Sequence, residues 1–260
     1  MRAIILNAGQ GRRLLPLTAD RPKCLLTLHG PTILESQLQA LASAGVEEAV
    51  IVVGFGAAQV EAELRRVCPP GLRGVTVHNP LFDRSDNLVS CLSARSEMTQ
   101  QFLLLNGDTL FQPGVIGRLL DSTPSPVSIA VACKEGYDHD DMKVQWRRGG
   151  QVQRIGKDLP PDIVDGEAIG VSLFRGKGPD MFLDALDEVV RRPGGQGRWY
   201  LSAIDLLAGQ GHVQGVNIDG FRWMEIDTPH DLARAREQMP LWADVPSIAV
   251  EPLQAELESI

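Results

Sequence analysis

At 260 residues, 43% hydrophobic and 5% aromatic, the chain has enough apolar material for one large α/β domain, or one domain with a small appendage, which excludes a disordered chain. Its 33 Asp+Glu against 25 Lys+Arg give a formal net charge of −8, so neither nucleic acid nor an anionic membrane is the expected partner. The four cysteines, Cys24, Cys68, Cys91 and Cys133, lack CxxC or Cys/His spacing, which argues against structural zinc and a disulfide framework; with no membrane-length apolar run and no signal-peptide pattern, a cytoplasmic location is expected.

The first stretch is the most informative. Ala3 to Leu6 is a short apolar run that breaks at Asn7-Ala8-Gly9-Gln10-Gly11, as a buried parallel strand running into a loop does. Gly9 and Gly11 let successive backbone amides turn toward an anion. Arg12, Arg13, Arg21 and Lys23 then add four cations to a chain that is acidic overall, so the positive charge is local. The loop is neither a dinucleotide fingerprint, since GQGRRL lacks the third glycine, nor a P-loop, since no GK[ST] follows. Cys24 beside Lys23 is a weak nucleophile candidate without a matching histidine.

Beyond the loop, helices are predicted over 32–44 and 56–67 and strands over 48–53 and 74–78, a βαβαβ pattern that reads as a parallel, doubly wound sheet. A polar loop from Asn79 to Asn87 leads into a helix capped by Ser85 or Asp86. The strand Phe102 to Leu105 ends at Asn106-Gly107-Asp108, which puts a carboxylate at a carboxyl strand end, where such sheets bind ligands. A second carboxylate, Asp227, follows the apolar-aromatic strand 221–226; it or Thr228 could instead cap the helix 229–238. Between them, residues 127–175 read as antiparallel or mixed strands with a hairpin at Arg148-Gly149-Gly150. Lys143 and Lys157 sit at strand edges there, where solvation of the rim is the plain alternative. Trp199 and Tyr200 in a helix over 198–209 read as core. Residues 1–239 are expected to form one domain, with 240–260 a docked tail or a contact in a possible homodimer.

The string G-x-G-x-R-L-x-P-L-T, followed by R-P-K and an apolar run, resembles the signature of nucleotidyltransferases that join an NTP to a phosphorylated sugar or alcohol. The SDNLVSCLSAR, IGKDL and EIDTPHDLARAR segments resemble phosphocholine and inositol-1-phosphate cytidylyltransferases in particular. That resemblance implies a Rossmann-like, mainly parallel mixed sheet with an inserted antiparallel acceptor-binding lid. It implies Arg13 and Lys23 as catalytic cations and Asp108 and Asp227 as Mg²⁺ ligands. Nucleotide contacts are implied at Asn7, Ala8, Gly9, Gln10, Gly11, Arg12, Asn79, Asp86, Asn87, Ser90 and Gly107, and acceptor contacts at Lys143, Lys157 and Glu167. The partners so implied are a nucleoside triphosphate, CTP favoured, and a small phosphorylated alcohol or phosphonate; a sugar-1-phosphate enzyme using another NTP, or a nucleotide sensor without turnover, are the alternatives. Asn7 for the usual alanine and Arg12 for the usual Thr or Ser depart from the pattern. So does the lack of an aromatic cluster around Met142, which weakens choline against inositol phosphate or a phosphonate.

Overall fold

Ala3, Ile4 and Ile5 are fully buried in consecutive positions, so the strand they form must be covered on both faces. The computed structural model, which describes residues 1–242, shows that strand, β1 (Arg2–Asn7), near the middle of a nine-stranded sheet. The remainder of the expected tail, 243–260, lies outside the described residues. After β1 come α1 (Ile33–Ser43), β2 (Glu48–Val53), α2 (Ala57–Val67) and β3 (Arg73–His78), with β1, β2 and β3 parallel neighbours as the βαβαβ pattern predicts. The chain then crosses back through α3 (Asn87–Ser93), and β4 (Phe102–Asn106) pairs parallel with the other side of β1. The strand order therefore reverses between β1 and β4. In an open α/β sheet that switch point opens a crevice beyond the carboxyl ends of the strands.

The rest of the chain is β5 (Thr109–Phe111), α4 (Gly114–Leu120), β6 (Val127–Ala132), β7 (Lys143–Trp146), β8 (Val152–Gly156), β9 (Gly166–Phe174), α5 (Gly178–Arg191), α6 (Leu201–Gly209), β10 (Val213–Asn217), β11 (Trp223–Glu225) and α7 (Pro229–Gln238). The main path of the sheet runs β10-β6-β9-β4-β1-β2-β3. Alternate residues of its strands feed two apolar layers. Ile4, Val50 and Leu104 meet Leu88 of α3, Phe182 of α5 and Ile204 of α6 on one face. Ile5, Ile51 and Leu105 meet Leu38 of α1, Leu64 of α2 and Ile116 of α4 on the other. Each such side chain contributes roughly 1.5–3 kcal/mol by leaving water, which fixes the register on which the site depends.

The antiparallel segment expected over 127–175 is present, but only part of it projects. β9 is an interior strand, antiparallel to both β4 and β6, and the hairpin β7–β8 hangs from its first residues. Every residue of β6 and β9 is buried, whereas β8 buries only Val152 and Ile155. That difference in pattern separates the woven strands from the projecting hairpin. No element was expected over 109–111, 114–120, 178–191 or 213–217, and the structure supplies β5, α4, α5 and β10 there.

Candidate active site

The glycine loop is held open by local bonds. Gly11 has φ 76°, and a Cβ on it would lie 2.9 Å from Lys23 Cβ, so glycine is what lets the lysine stem run beside the loop. The Thr18 hydroxyl and the Leu14 amide both donate to the Gly11 carbonyl at 2.9 Å. Gly9 has nothing within 4 Å of a notional Cβ, which leaves its backbone accessible from the crevice. Arg12 and Arg21 are exposed.

A two-stranded ribbon brings the two carboxylates together. β5 pairs antiparallel with β11, Thr109 opposite Glu225, and the Ile226 amide donates to the Asp108 carbonyl at 3.0 Å. Asp108 and Asp227 thus leave the ribbon side by side, and one ammonium bridges them: Lys23 Nζ lies 2.8 Å from Asp108 Oδ2 and 2.6 Å from Asp227 Oδ1. Arg13 Nη2 adds a contact of 2.7 Å to Asp227 Oδ2. Burial by itself lowers the Lys23 pKa, but Asp108 and Asp227 outweigh it and hold the ammonium above its ordinary value. Thr228, not Asp227, caps α7 through a capping box with Asp231, which frees the Asp227 side chain. From below, the buried Gln37 of α1 donates to the Asn106 and Thr109 carbonyls at 2.7 and 2.9 Å and so clamps the turn that carries Gly107 and Asp108.

On one side of this cluster a cavity of about 260 Å³ is lined by Ala8, Gly9, Phe82, Asp86, Asn87 and Gly107, among others. Asp86 caps α3 by accepting from the Asn87 amide at 2.7 Å, and burial raises its carboxyl above the usual range. Asn87 Oδ1 accepts from the Tyr200 amide at 2.8 Å, which orients its amide group in the cavity wall. Asn79 is buried and spent within its own loop: its Nδ2 donates to Ser90 Oγ at 3.1 Å and its Oδ1 accepts from the Leu81 amide at 2.9 Å. Ser90 does reach the cavity wall. Asn7 lies beneath Gly107, where a Cβ would sit 1.8 Å from Asn7 Oδ1, and its Nδ2 is buried without a partner among the described residues. Gln10 donates to the Thr18 carbonyl at 3.3 Å.

On the other side a second hollow, about 310 Å³, is lined by Arg13, Asp140, Lys157, Glu167, Trp199 and Glu225, and it shares Asp86, Asn87, Asn106 and Asp108 with the first. The two hollows are one cleft with the Lys23–Asp108–Asp227 cluster at its waist. Asp140 binds Lys157 and, at 2.5 Å, Arg13; these two hydrogen bonds hold its carboxyl down at about 2. Lys143 behaves otherwise than expected. It is buried and donates to the Lys157 carbonyl at 2.8 Å, so it supports the strand end and is not among the side chains lining either hollow. Trp199 also departs from the expectation of core: it is 39% exposed and stacks over Lys157 Nζ at 4.5 Å, while Tyr200 is fully buried. Burial pushes the Cys24 thiol up to about 12, which removes it as a nucleophile.

A groove of about 560 Å³ between α1 and the start of α4 is larger, but it is lined by Phe111, Phe221, Trp242 and uncharged neighbours. Among the described residues no ionisable side chain lines its wall, whereas the polar cleft gathers several.

Residues 3–172 match the MobA-like NTP transferase domain family. The chain belongs to that family. This NTP transferase domain is 31% identical over 253 residues to the CMP-5'-(3-aminopropyl)phosphonate synthase of Streptomyces rubellomurinus, covering 90% of this chain and 38% of that protein. It is 32% identical over 247 residues to the bifunctional IPC transferase and DIPP synthase of Rubrobacter xylanophilus, covering 93% of this chain and 52% of that protein. The chain thus spans about half or less of the length of these relatives. Among solved structures, its fold is similar to the inositol-1-phosphate CTP transferase from T. maritima, with a TM-score of 0.77 at 22% identity, covering 94% of this chain and 96% of that one. It is similar also to the CTP:phosphocholine cytidylyltransferase LicC from Streptococcus pneumoniae, with a TM-score of 0.74 at 20% identity, covering 92% and 98%.

Four side chains of this NTP transferase cleft escaped the sequence reading. Gln37 looked like one more member of a helix face, and Lys134, Asp140 and Glu225 belong to no spacing motif. Only the EID string around Glu225 carried a signal, since it places a second acid two positions before Asp227.

Proposed function

We propose that the chain carries a metal-dependent cytidylyltransferase that transfers CMP from CTP to the phosphate or phosphonate oxygen of a small acceptor and releases pyrophosphate. The observation that carries this reading is the waist of the cleft, where Arg13, Lys23, Asp108 and Asp227 converge between two hollows at the switch point of the sheet. The relatives named above, whose names carry CMP-phosphonate and inositol-phosphate chemistry, support a cytidylyl donor and a small phosphorylated or phosphonate acceptor.

The smaller hollow takes the base and the glycine loop takes the phosphates. Asp86 supplies the acceptor oxygen and Asn87 the amide that a cytosine edge requires. The acceptor oxyanion attacks the α-phosphorus in line; a phosphorus–oxygen bond forms to the acceptor as the bond to the bridging oxygen of pyrophosphate breaks. No covalent enzyme intermediate is needed, because the acceptor is already anionic at neutral pH, and the protein aligns the reactants and neutralises the leaving group. Arg13 and Lys23 meet that second need. Lys157 meets the acceptor's phosphorus oxyanion once Asp140 releases it.

Asp108 and Asp227 fit a divalent cation. Asp108 Oδ1 is buried with no partner among the described residues, and the pair already shares a single positive group, the Lys23 ammonium. Mg²⁺ is commonly held by one or two carboxylates with substrate phosphates, and once bound it supplies charge neutralisation at those phosphates.

The test is pyrophosphate release with CTP and a panel of phosphorylated and phosphonate acceptors, set beside Lys23→Ala and Asp108→Ala. Each variant is expected to lose on the order of 100-fold or more. Near-full release by both would remove these residues from their roles. Stabilisation in Mg²⁺ larger with GTP or ATP than with CTP would overturn the cytidylyl assignment.

A further inference from the structure

Trp199 stands on a shoulder that holds it in the wall of the cleft. The turn Gly195–Gly197 precedes it, and there the Gln196 carbonyl accepts from the Asp86 amide at 2.9 Å. Directly after it, the Tyr200 amide donates to Asn87 Oδ1 at 2.8 Å, and the Tyr200 ring is fully buried, edge-on to Phe182 of α5 with centroids 6.4 Å apart. The backbone is thus pinned on both sides of Trp199. With its neighbour committed to the core, the indole is left 39% exposed among the side chains of the acceptor hollow.

Its face meets a cation. Lys157 Nζ lies 4.5 Å from the centre of the Trp199 ring. This lysine follows directly on β8, and its carbonyl accepts from the buried Lys143 ammonium at 2.8 Å, so its backbone is fixed as well. A flexible four-carbon stem separates that backbone from the Lys157 ammonium. Two groups restrain the stem's far end: the Asp140 carboxylate, in an ion pair, and the indole face. They differ in what they leave of the charge. A carboxylate neutralises an ammonium and must be displaced before another anion can use it, whereas an aromatic face attracts the cation through its quadrupole and carries no net charge.

We propose that Trp199 is a positioning residue for Lys157: its indole keeps the ammonium in place at the acceptor's phosphorus oxyanion once that oxyanion has displaced Asp140. This deepens the cytidylyltransferase reading and rests on it for what Lys157 meets. The Asp140 carboxylate and an incoming oxyanion compete for the same N–H donors, and the ring takes no part in that competition. Lys157 therefore needs no new conformation when the acceptor arrives, and the entropy of ordering its stem is lost before binding rather than during it. The indole acts through the lysine, so its effect follows the acceptor's anionic end and is indifferent to the organic group beyond.

A double-mutant cycle in the full chain tests this. Methylphosphonate, whose organic end is a single methyl group, is the binding probe, titrated calorimetrically without CTP. Inositol-1-phosphate and 2-aminoethylphosphonate, with CTP and Mg²⁺, are the turnover probes, read by pyrophosphate release. Trp199→Leu is expected to weaken methylphosphonate binding and raise the KM of either acceptor about 2- to 30-fold, the range of a cation–π contact, with kcat and the KM for CTP nearly unchanged. Trp199→Phe should recover part of the loss, and Trp199→Leu should cost nothing further in a Lys157→Met background, compared as kcat/KM. In proton NMR of the wild type, the Lys157 Hε resonances should be shifted upfield by the ring and remain so with methylphosphonate bound. An equal loss with and without Lys157→Met would make the indole a contact of the acceptor itself, and a fall in CTP stabilisation alongside acceptor affinity would make it merely structural; either overturns the proposal, as does an upfield shift that disappears on binding. A Lys157-dependent effect on methylphosphonate without pyrophosphate release supports the positioning role and counts against the transferase reading. Release with an acceptor KM that Trp199→Leu leaves unchanged does the reverse, and absence of both binding and release overturns both.

Discussion

The two halves of the cleft are built on different principles. The side proposed for the nucleotide is made of backbone: a strand end, two glycines, a capped helix and a turn clamped by Gln37. The side proposed for the acceptor is made of opposed side chains, Arg13, Lys134, Asp140, Asp141, Lys157, Glu167 and Glu225. A triphosphate presents the same geometry whatever its base, so one preformed cradle serves it and costs little to order. An acceptor must be told from its neighbours by charge and hydrogen bonding, and in the proposed reading the ion pairs among these side chains are exchanged when it binds.

The sharpest way to break the comparison is at the waist, which both halves share. Asp227→Asn keeps the shape and removes one charge; we expect kcat/KM to fall on the order of 100-fold or more in steady-state assays, with the melting temperature of the free protein changed far less. If activity persists, the waist does not link the halves.

The next largest effect is confined to the acceptor side and depends on pH. Burial first, and the nearby Asp141 second, raise the Glu167 carboxyl to about 7 from its ordinary 4.5, against the lowering effect of Lys134. Because the folded state keeps this proton after the unfolded chain has lost it, stability falls as pH rises from about 4.5 to about 7, and the full cost is present above that. Glu167→Gln removes the cost, so the variant should gain up to ~3 kcal/mol over wild type at pH 8 and close to nothing at pH 4 in urea titrations. A gain independent of pH would mean that Glu167 titrates in the folded protein as it does in the unfolded chain.

On the backbone-built side the corresponding lesion is steric. A Cβ at Gly107 would lie 1.8 Å from Asn7 Oδ1 and 2.5 Å from the Leu6 carbonyl, so Gly107→Ala must push the Asp108 turn out of place. A loss of about 1–3 kcal/mol is expected, with part of it recovered by adding Asn7→Ala, measured by thermal and chemical denaturation. Equal damage with and without Asn7 would place the strain at Leu6 alone.

The smallest effect concerns the latch between the halves. Asp140 holds both Arg13 and Lys157 in the ligand-free protein, so Asp140→Asn should lower the KM for triphosphate and acceptor a few-fold while kcat changes little. A raised KM would instead make Asp140 a substrate contact.

This division also explains what could be read in advance. The β1 strand, the glycine loop, the three parallel strands and α7 follow from periodicity and caps within a few residues, and the structure shows them with shifts of one or two positions. Asp108 and Asp227 were each legible at a strand end, but their meeting depends on β5, three residues with no pattern of their own. Asn79 looked like a base reader because its loop is polar; only the fold shows its amide spent on Ser90 and Leu81. Lys143 and Lys157 looked alike in sequence, and register alone sends one ammonium to a carbonyl and the other into the cleft. Trp199 and Tyr200 adjoin at the start of α6 and diverge for the same reason, one facing the cleft and one the core. Charge pairing between distant segments leaves no local trace, so the acceptor side was the less legible half.

The central claim is that the waist of the cleft joins a CMP group to a phosphorus oxyanion. Phosphorus NMR of the full chain incubated with CTP, Mg²⁺ and an aminoalkyl phosphonate tests it most directly. Coupled resonances of a mixed phosphonate–phosphate anhydride should appear together with pyrophosphate in wild type and be absent with Asp108→Ala. Unchanged CTP and acceptor signals in wild type, across phosphonate, inositol-phosphate and phosphocholine acceptors, would contradict the account.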